Sequence, residues 1–398
     1  MTSAIARLHR ELPRLQQLIA DARVDGWLLF DFRGRNPIAA AVLGNEIVGS
    51  RRVYALIPPQ GPPIALVHAV DAELWRDWPA EWSKRVWVRR ESLSTELGAL
   101  VRGKRLAADY SPHGAIPYLD GVPAGVAELL QALGATLVSS VDLVTRYCSV
   151  WTADDVASHQ RAAEAIATIA RGALALAGAR AGTDPIQEYE LAAWVRERFD
   201  RAKLETESGP SVSWGPNAAR THYEPTAAES ARIVPGALLL LDLWAREPGG
   251  MYADQTWMAA IGEPSDRDAA LWREVREARD AALNLIGQRV RGGEQVQGAE
   301  ADAAAKRVIA EARHLEYTVS RTGHSIDRYG LHGFGPPIDD TETFDARVLI
   351  PGVGFSVEPG VYFPGETGVR SEVNVVIGEK DIIITPRDYQ RELLRTDA

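Results

Sequence analysis

LLLLDLWAREPGGMYADQTWMAAIG, residues Leu238–Gly262, places two aspartates, Asp242 and Asp254, in apolar runs that read as buried strands. Between them, REPGG (246–250) carries the proline and glycines of a turn, so the stretch is predicted to be a β-hairpin. A loop centred on residue 248 sets Asp242 and Asp254 directly opposite each other. Side chains alternate along a strand, so Leu240, Asp242 and Trp244 share a face, and Tyr252, Asp254 and Thr256 take the facing positions. Like charges so opposed destabilise a sheet, and burying them unpaired costs more. Something positive must be there.

The pattern recurs in GFSVEPGVYFPGETGVRSEVNVVIG (Gly354–Gly378), where Glu358 and Glu372 have their midpoint at Gly365 in a second turn. Arg370, two residues from Glu372, supplies one positive charge. A lone strand aspartate reads as a solvated residue on a polar face. Two mirrored pairs, one of them behind four leucines, point instead to a divalent metal site. Of the 8 histidines, His324 and His332 lie between the hairpins in RTGHSIDRYGLHGFGPP, and His222 follows WGPNAART. Carboxylates with one imidazole and no thiolate suit manganese, iron, cobalt or zinc. Bridging carboxylates suit two ions, which lower the pKa of a shared water and so favour hydrolysis.

The rest of the chain bounds this reading. Its 398 residues fit two domains, and 46% apolar with 25% charged residues describes a soluble, globular chain. A net charge of -10 argues against nucleic acid or an anionic membrane as the main partner. The single cysteine, Cys148, forms no internal disulfide. No run is expected to reach membrane-spanning length, and the amino terminus reads as an amphipathic helix running into a strand; a cytoplasmic location is the expectation.

Residues 1–150 alternate helical and strand patterns, with helices expected at 4–22 and 124–133 and a strand TLVSSVDLV at 136–144. From 151 to 398 the texture becomes α+β. Long helices are expected at 154–177, from Thr183 as N-cap with Pro185 in the first turn, at 265–286 and at 299–312, with the two hairpins among them.

The ordered set Asp, Asp, His, Glu, Glu, in LLLLDLW, MYADQT, TGHSID, SVEPGVY and GVRSEV, resembles the pita-bread metallopeptidases: methionine aminopeptidase, aminopeptidase P, prolidase and the metal-free relative creatinase. The segment SGPSVSWGPNAARTHYEPT looks like the one carrying that family's substrate-binding histidine. The resemblance implies an α+β pita-bread catalytic domain of two pseudo-symmetric halves behind a smaller α/β creatinase-like amino-terminal domain. It implies two divalent ions, manganese first, with cobalt, zinc or iron open. Asp242 would hold one ion, His324 and Glu358 the other, and Asp254 and Glu372 would bridge. Glu358 would shuttle the proton, His222 and His332 would contact substrate, and Arg370 and Thr256 would support the ligands. A homodimer is implied by analogy.

The chain departs from the family in four places. The first aspartate is followed by LW where a glycine is usual two residues on, the aspartates lie one position further apart, and His324 and His332 are spaced one wider. The arginine that clamps a dipeptide carboxylate in prolidases, 14 residues before the first glutamate, is here Phe344, with Arg347, Arg328, Tyr329 and Tyr389 as possible substitutes. The expected activity is hydrolysis of the bond before proline in short peptides, as in bacterial Xaa-Pro dipeptidase. The alternatives are aminopeptidase P action on Xaa-Pro-Xaa peptides, creatinase-like C–N hydrolysis, and a non-catalytic binding protein.

Overall fold

The computed structural model describes residues 4–47 and 49–396, apart from the side chain of Glu46, and divides into two compact units, Met1–Cys148 and Ser149–Ala398. In the first, helix α1 (Ala4–Asp21) leads into β1 (Gly26–Asp31), followed by α2 (Pro37–Leu43), β2 (Val53–Ile57), β3 (Ile64–His68) and β4 (Ser83–Trp87). Helix α3 (Arg90–Val101), β5 (Arg105–Ala108), α4 (Ala124–Ala132), β6 (Thr136–Ser139) and α5 (Val141–Cys148) complete it. The strands form one mixed sheet in the order β4-β3-β2-β1-β5-β6.

The expected strand at 136–144 is half helix. Ser140 donates its hydroxyl to the buried Asp109 carboxylate at 2.6 Å, which ends β6. Beyond it Leu143, Val144, Tyr147 and Cys148 are buried at helical spacing.

The second unit opens with α6 (Ala153–Ala181) and α7 (Glu188–Ala202), then β7 (Ser211–Trp214), β8 (Ala237–Ala245) and β9 (Ala253–Ile261). Helices α8 (Asp266–Arg291) and α9 (Gly298–Glu311) follow, then β10 (Ser325–Ile326), β11 (Gly354–Val357), β12 (Gly360–Phe363), β13 (Thr367–Arg370), β14 (Val373–Ile377), β15 (Ile382–Thr385) and β16 (Leu394–Thr396). One sheet runs β16-β9-β8-β7, a second runs β10-β11-β14-β15, and β12 pairs with β13 as a ribbon.

Two of the expected features change here. Thr183 is not the cap of α7, because Ile186 and Gln187 are held extended: Ile233 N–H donates to the Ile186 carbonyl at 2.9 Å and Glu188 N–H to the Ala231 carbonyl at 3.0 Å. Gln187 caps the helix instead, in a capping box with Glu190. The second correction concerns α6, whose 29 residues reach a mean hydropathy of 1.3 over an 18-residue window and so could span a membrane by length and composition. Its buried stripe includes Ala162, Ala163, Ala167, Ala170, Ala173 and Ala177, small side chains that bring the helix close to β8 and β9 as a core element.

Sheet β8–β9 is buried on both faces, which explains its nearly continuous apolar sequence. Leu239, Leu241, Leu243, Trp257 and Ala259 join the core of α6 and α7. Leu240, Met258 and Ala260 join that of α8, α9 and the second sheet. Alternation therefore puts Asp242, Asp254 and Thr256 on the face turned toward the second hairpin.

Candidate metal centre

The register of β8 and β9 corrects the expected facing pair. Asp242 lies opposite Thr256, and Asp254 opposite Trp244, one step diagonal on the same face. The ladder ends at Ala245 and Ala253, so the connection is longer than REPGG. Its additional residues are drawn to α6: Met251 N–H donates to Ser158 Oγ at 3.3 Å, and the Tyr252 carbonyl lies 2.6 Å from His159 Nδ1. The offset sets a hydroxyl, rather than a second carboxylate, against Asp242.

The second hairpin keeps the expected register. Gly360 faces Arg370 and Val357 faces Val373, so both ladders extrapolate to Glu358 opposite Glu372 at their junction.

Together the hairpins form one acidic centre. Asp242, Asp254 and Glu372 each offer a carboxylate oxygen, all within 4.8 Å of one another. His324 lies at the edge of this group, its Nε2 3.2 Å from Asp254 Oδ2 and 3.4 Å from Glu358 Oε1. Arg370 pairs with Asp242, and its guanidinium is 3.7 Å from Glu358 Oε2. Thr256 Oγ1 donates to Glu372 Oε2 at 2.8 Å and accepts from Arg370 Nε at 2.7 Å, fixing both partners.

These charges are poorly compensated. Burial, then the Asp254 and Glu358 charges, push Asp242 up to about 7 against the pull of Arg370. Burial and the surrounding carboxylates raise Glu372 well above the usual range, and burial also raises Asp254. Glu358 goes the other way: burial raises it, but His324, Arg370 and the Ser356 hydroxyl outweigh that and hold it low. His324 is raised despite burial by its bond to Asp254 and the charge of Glu358.

Two buried oxygens, Asp254 Oδ1 and Glu372 Oε1, have no hydrogen-bond partner among the described residues. Buried carboxylate oxygens without a proton or donor are costly. Hard oxygen donors converging around such orphaned atoms, with one imidazole, fit a divalent cation.

Three groups went unnoticed in the sequence. Ser356 Oγ donates to Glu358 Oε1 at 2.9 Å and accepts the His324 N–H at 3.0 Å. Asn374 brackets the Asp254 peptide, accepting its N–H at 2.9 Å and donating to its carbonyl at 2.7 Å. Both lie two residues from a glutamate, on its own face, and that period was the available signal. The third is Asp327, whose buried carboxylate accepts the N–H groups of Tyr329 at 2.7 Å, Gly330 at 3.3 Å and Phe334 at 3.0 Å and so shapes the loop carrying His332.

The His332 ring packs against that of His324 at a tilt of 58°, centroids 4.3 Å apart. His222 is exposed, on the segment between β7 and β8. The clamp position itself, Phe344, is 63% exposed. Its suggested substitutes are engaged elsewhere. Arg347 pairs with Asp345 at 2.6 Å and donates to the Phe334 and Gly335 carbonyls. Arg328 pairs with Asp155, and the guanidinium groups of Arg279 and Arg391 lie over the Tyr389 ring, 4.9 and 4.4 Å from its centroid. Tyr329 lies beside Phe334, ring centroids 5.9 Å apart.

Comparison with known proteins agrees with this geometry. The model of metallopeptidase family M24 matches residues 157–379, more than half of the chain. A probable dipeptidase PepE of Mycobacterium tuberculosis is 29% identical over 358 residues, 87% of this chain and 88% of the relative. An Xaa-Pro dipeptidase of Lactobacillus helveticus is 34% identical over 162 residues, 40% of each chain. The crystal structure of dipeptidase PepE from Mycobacterium ulcerans covers 98% of this chain and 98% of its own at a TM-score of 0.77 and 23% identity. The last is a likeness of fold. With its acidic centre on two facing hairpins, the chain belongs to metallopeptidase family M24, a divalent-metal enzyme family with the pita-bread fold.

Proposed function

We propose that this protein is a dinuclear metal-dependent dipeptidase that cleaves the bond before proline in short peptides. The observation that carries the reading is the pair of orphaned buried oxygens, Asp254 Oδ1 and Glu372 Oε1, inside a carboxylate group spanning less than 4.8 Å. Asp242, Asp254, His324, Glu358 and Glu372 would hold two divalent ions. Manganese is our choice, because the donors are chiefly hard carboxylate oxygens. When bound, the ions supply a water acidic enough to yield hydroxide at neutral pH.

The chain's own groups do the rest. Glu358 is held ionised by His324 and Arg370 and oriented by Ser356. It is ready to take a proton from the attacking water and deliver it to the leaving nitrogen. His332, packed against His324, and His222 would present imidazole groups to the substrate carbonyl as it becomes an oxyanion. Arg370 orients Asp242, and Thr256 orients Glu372.

The names of the relatives support peptide substrates, and the Lactobacillus helveticus relative supports proline specificity. The exposed Phe344 favours a second reading, aminopeptidase P action on peptides extended beyond proline. We further propose that the first unit is a creatinase-like domain, supported by its six-stranded α/β sheet. The succession of helix pair and hairpin, twice along the second unit, supports two pseudo-symmetric halves. A cytoplasmic homodimer is part of the same proposal.

The test compares an Xaa-Pro dipeptide with an Xaa-Pro-Xaa tripeptide, using manganese-loaded wild type and Glu358→Ala. Wild type should cleave the dipeptide and the variant neither substrate. Tripeptide cleavage alone would establish the second reading, and cleavage of neither by wild type would refute both.

A further inference from the structure

A dipeptide cleaved before proline carries a free carboxylate one residue beyond the scissile bond. Two divalent ions would offset the charges of Asp242, Asp254, Glu358 and Glu372 and leave no excess positive charge at the centre, so holding that carboxylate calls for a further cation. Arg370 cannot serve, because Asp242, Glu358 and Thr256 already take its donors. Arg347 is buried against Asp345, and Arg328 is committed to Asp155.

Arg321 is differently placed. The next residue, Thr322, is pinned on both sides: its N–H donates to the buried Asp302 at 3.1 Å, and its carbonyl accepts the Glu358 N–H at 2.6 Å. Gly323 then exchanges two 3.1 Å backbone bonds with Ile338. Arg321 therefore projects from a rigid segment hydrogen-bonded to the backbone of Glu358 itself.

Its side chain is 24% exposed, and its ion pair is a 3.8 Å contact to Glu342, which is 50% exposed. A long, solvated pair of this kind is weak and easily exchanged. The charge of Arg321 acts on both Glu358 and His332, the two groups assigned to proton transfer and substrate contact.

We propose that Arg321 binds the free carboxylate of the dipeptide, replacing the arginine missing at position 344. The assignment rests on the dipeptidase reading above. A guanidinium can meet a carboxylate with two parallel N–H donors, and it would exchange Glu342 for substrate when the site fills.

The experiment measures kcat and KM separately for Ala-Pro and for its carboxyl-terminal amide, Ala-Pro-NH2, with manganese-loaded full-length wild type, Arg321→Ala and Arg321→Lys. For Ala-Pro, Arg321→Ala should raise KM about tenfold to a hundredfold, the loss expected for a charged hydrogen-bonded pair, with kcat nearly unchanged. The amide lacks the negative charge, so its kinetic constants should shift less than about twofold in the same variant. Arg321→Lys should recover part of the dipeptide affinity, since it restores charge but not the bidentate fork.

Equal losses on both substrates, or no loss on Ala-Pro, would overturn the assignment and leave the dipeptidase reading standing. If wild type cleaves tripeptides but not Ala-Pro, the dipeptidase reading fails and the assignment fails with it.

Discussion

Replacing Glu372 by glutamine should stabilise the metal-free protein while abolishing its response to metal. Glu372 is 3% exposed; one oxygen accepts from Thr256, and the other has no hydrogen-bond partner among the described residues. Burial first, then the charges of Asp254, Glu358 and Asp242, raise its pKa well above the ordinary carboxylate value. A carboxamide of the same shape keeps an acceptor for Thr256, removes one of the crowded charges and adds a donor among the remaining oxygens.

Relieving a buried group without a partner is worth on the order of 1–3 kcal/mol. For a unit of this size that corresponds to a melting shift of about 2–4 °C per kcal/mol. The sign with pH follows from the raised pKa. Below the ordinary carboxylate value of 4.5 the group is protonated whether folded or unfolded and costs nothing; above it the cost grows until pH passes the raised folded value, so the advantage of Glu372→Gln should be clear at pH 8 and vanish toward pH 4.

Metal should erase most or all of the variant's advantage. At a free concentration about 100 times its dissociation constant, manganese stabilises wild type by about 2.7 kcal/mol and leaves the variant nearly unaffected. Thermal unfolding of both proteins with EDTA or manganese, at pH 5 and pH 8, makes the measurement. A variant that melts below wild type in EDTA at pH 8, or that gains as much from manganese, would refute the reasoning.

Two further outcomes follow from the packing around the centre. His159 is fully buried, with Nδ1 2.6 Å from the Tyr252 carbonyl and Nε2 2.7 Å from Thr385 Oγ1, and burial pushes its pKa down to about 4. Its contribution is complete above the ordinary value near 6.5 and is lost as pH falls toward 4, amounting to about 3 kcal/mol; the melting temperature of wild type should therefore fall more steeply over that window than that of His159→Gln, and parallel profiles would contradict this. A Cβ added at Gly323 would stand 2.0 Å from the Ser356 carbonyl oxygen, part of the backbone of β11. Gly323→Ala should push His324 and Thr322 off β11 and lower kcat more than about tenfold with circular dichroism unchanged, whereas wild-type turnover would show that the segment can yield.

The family was legible in the sequence because strand alternation and residue type are local properties. Asp242 and Asp254 in apolar runs, and Glu358 and Glu372 about Gly365, identify two strand pairs that bring acids to one face whatever the loop details. The offset between Asp242 and Asp254 was not legible, because it depends on Ser158 and His159 of α6 capturing the backbone of Met251 and Tyr252. Nor was the start of α7, where pairing of Ile186 and Gln187 with residues 231–233 overrides the cap signal at Thr183.

By itself, then, the sequence singled out the acids and the imidazole that the fold gathers into one centre, and indicated that their charges require compensation. The tertiary structure alone decided how they are compensated. Which oxygens are left without donors, that Arg370 is consumed inside the centre, and that Arg347 and Arg328 hold close acidic partners while Arg321 has a 3.8 Å one are consequences of contacts among residues far apart in the chain. Hydrogen-bond satisfaction and ion pairing are properties of distance in space, and no periodicity along a strand encodes them.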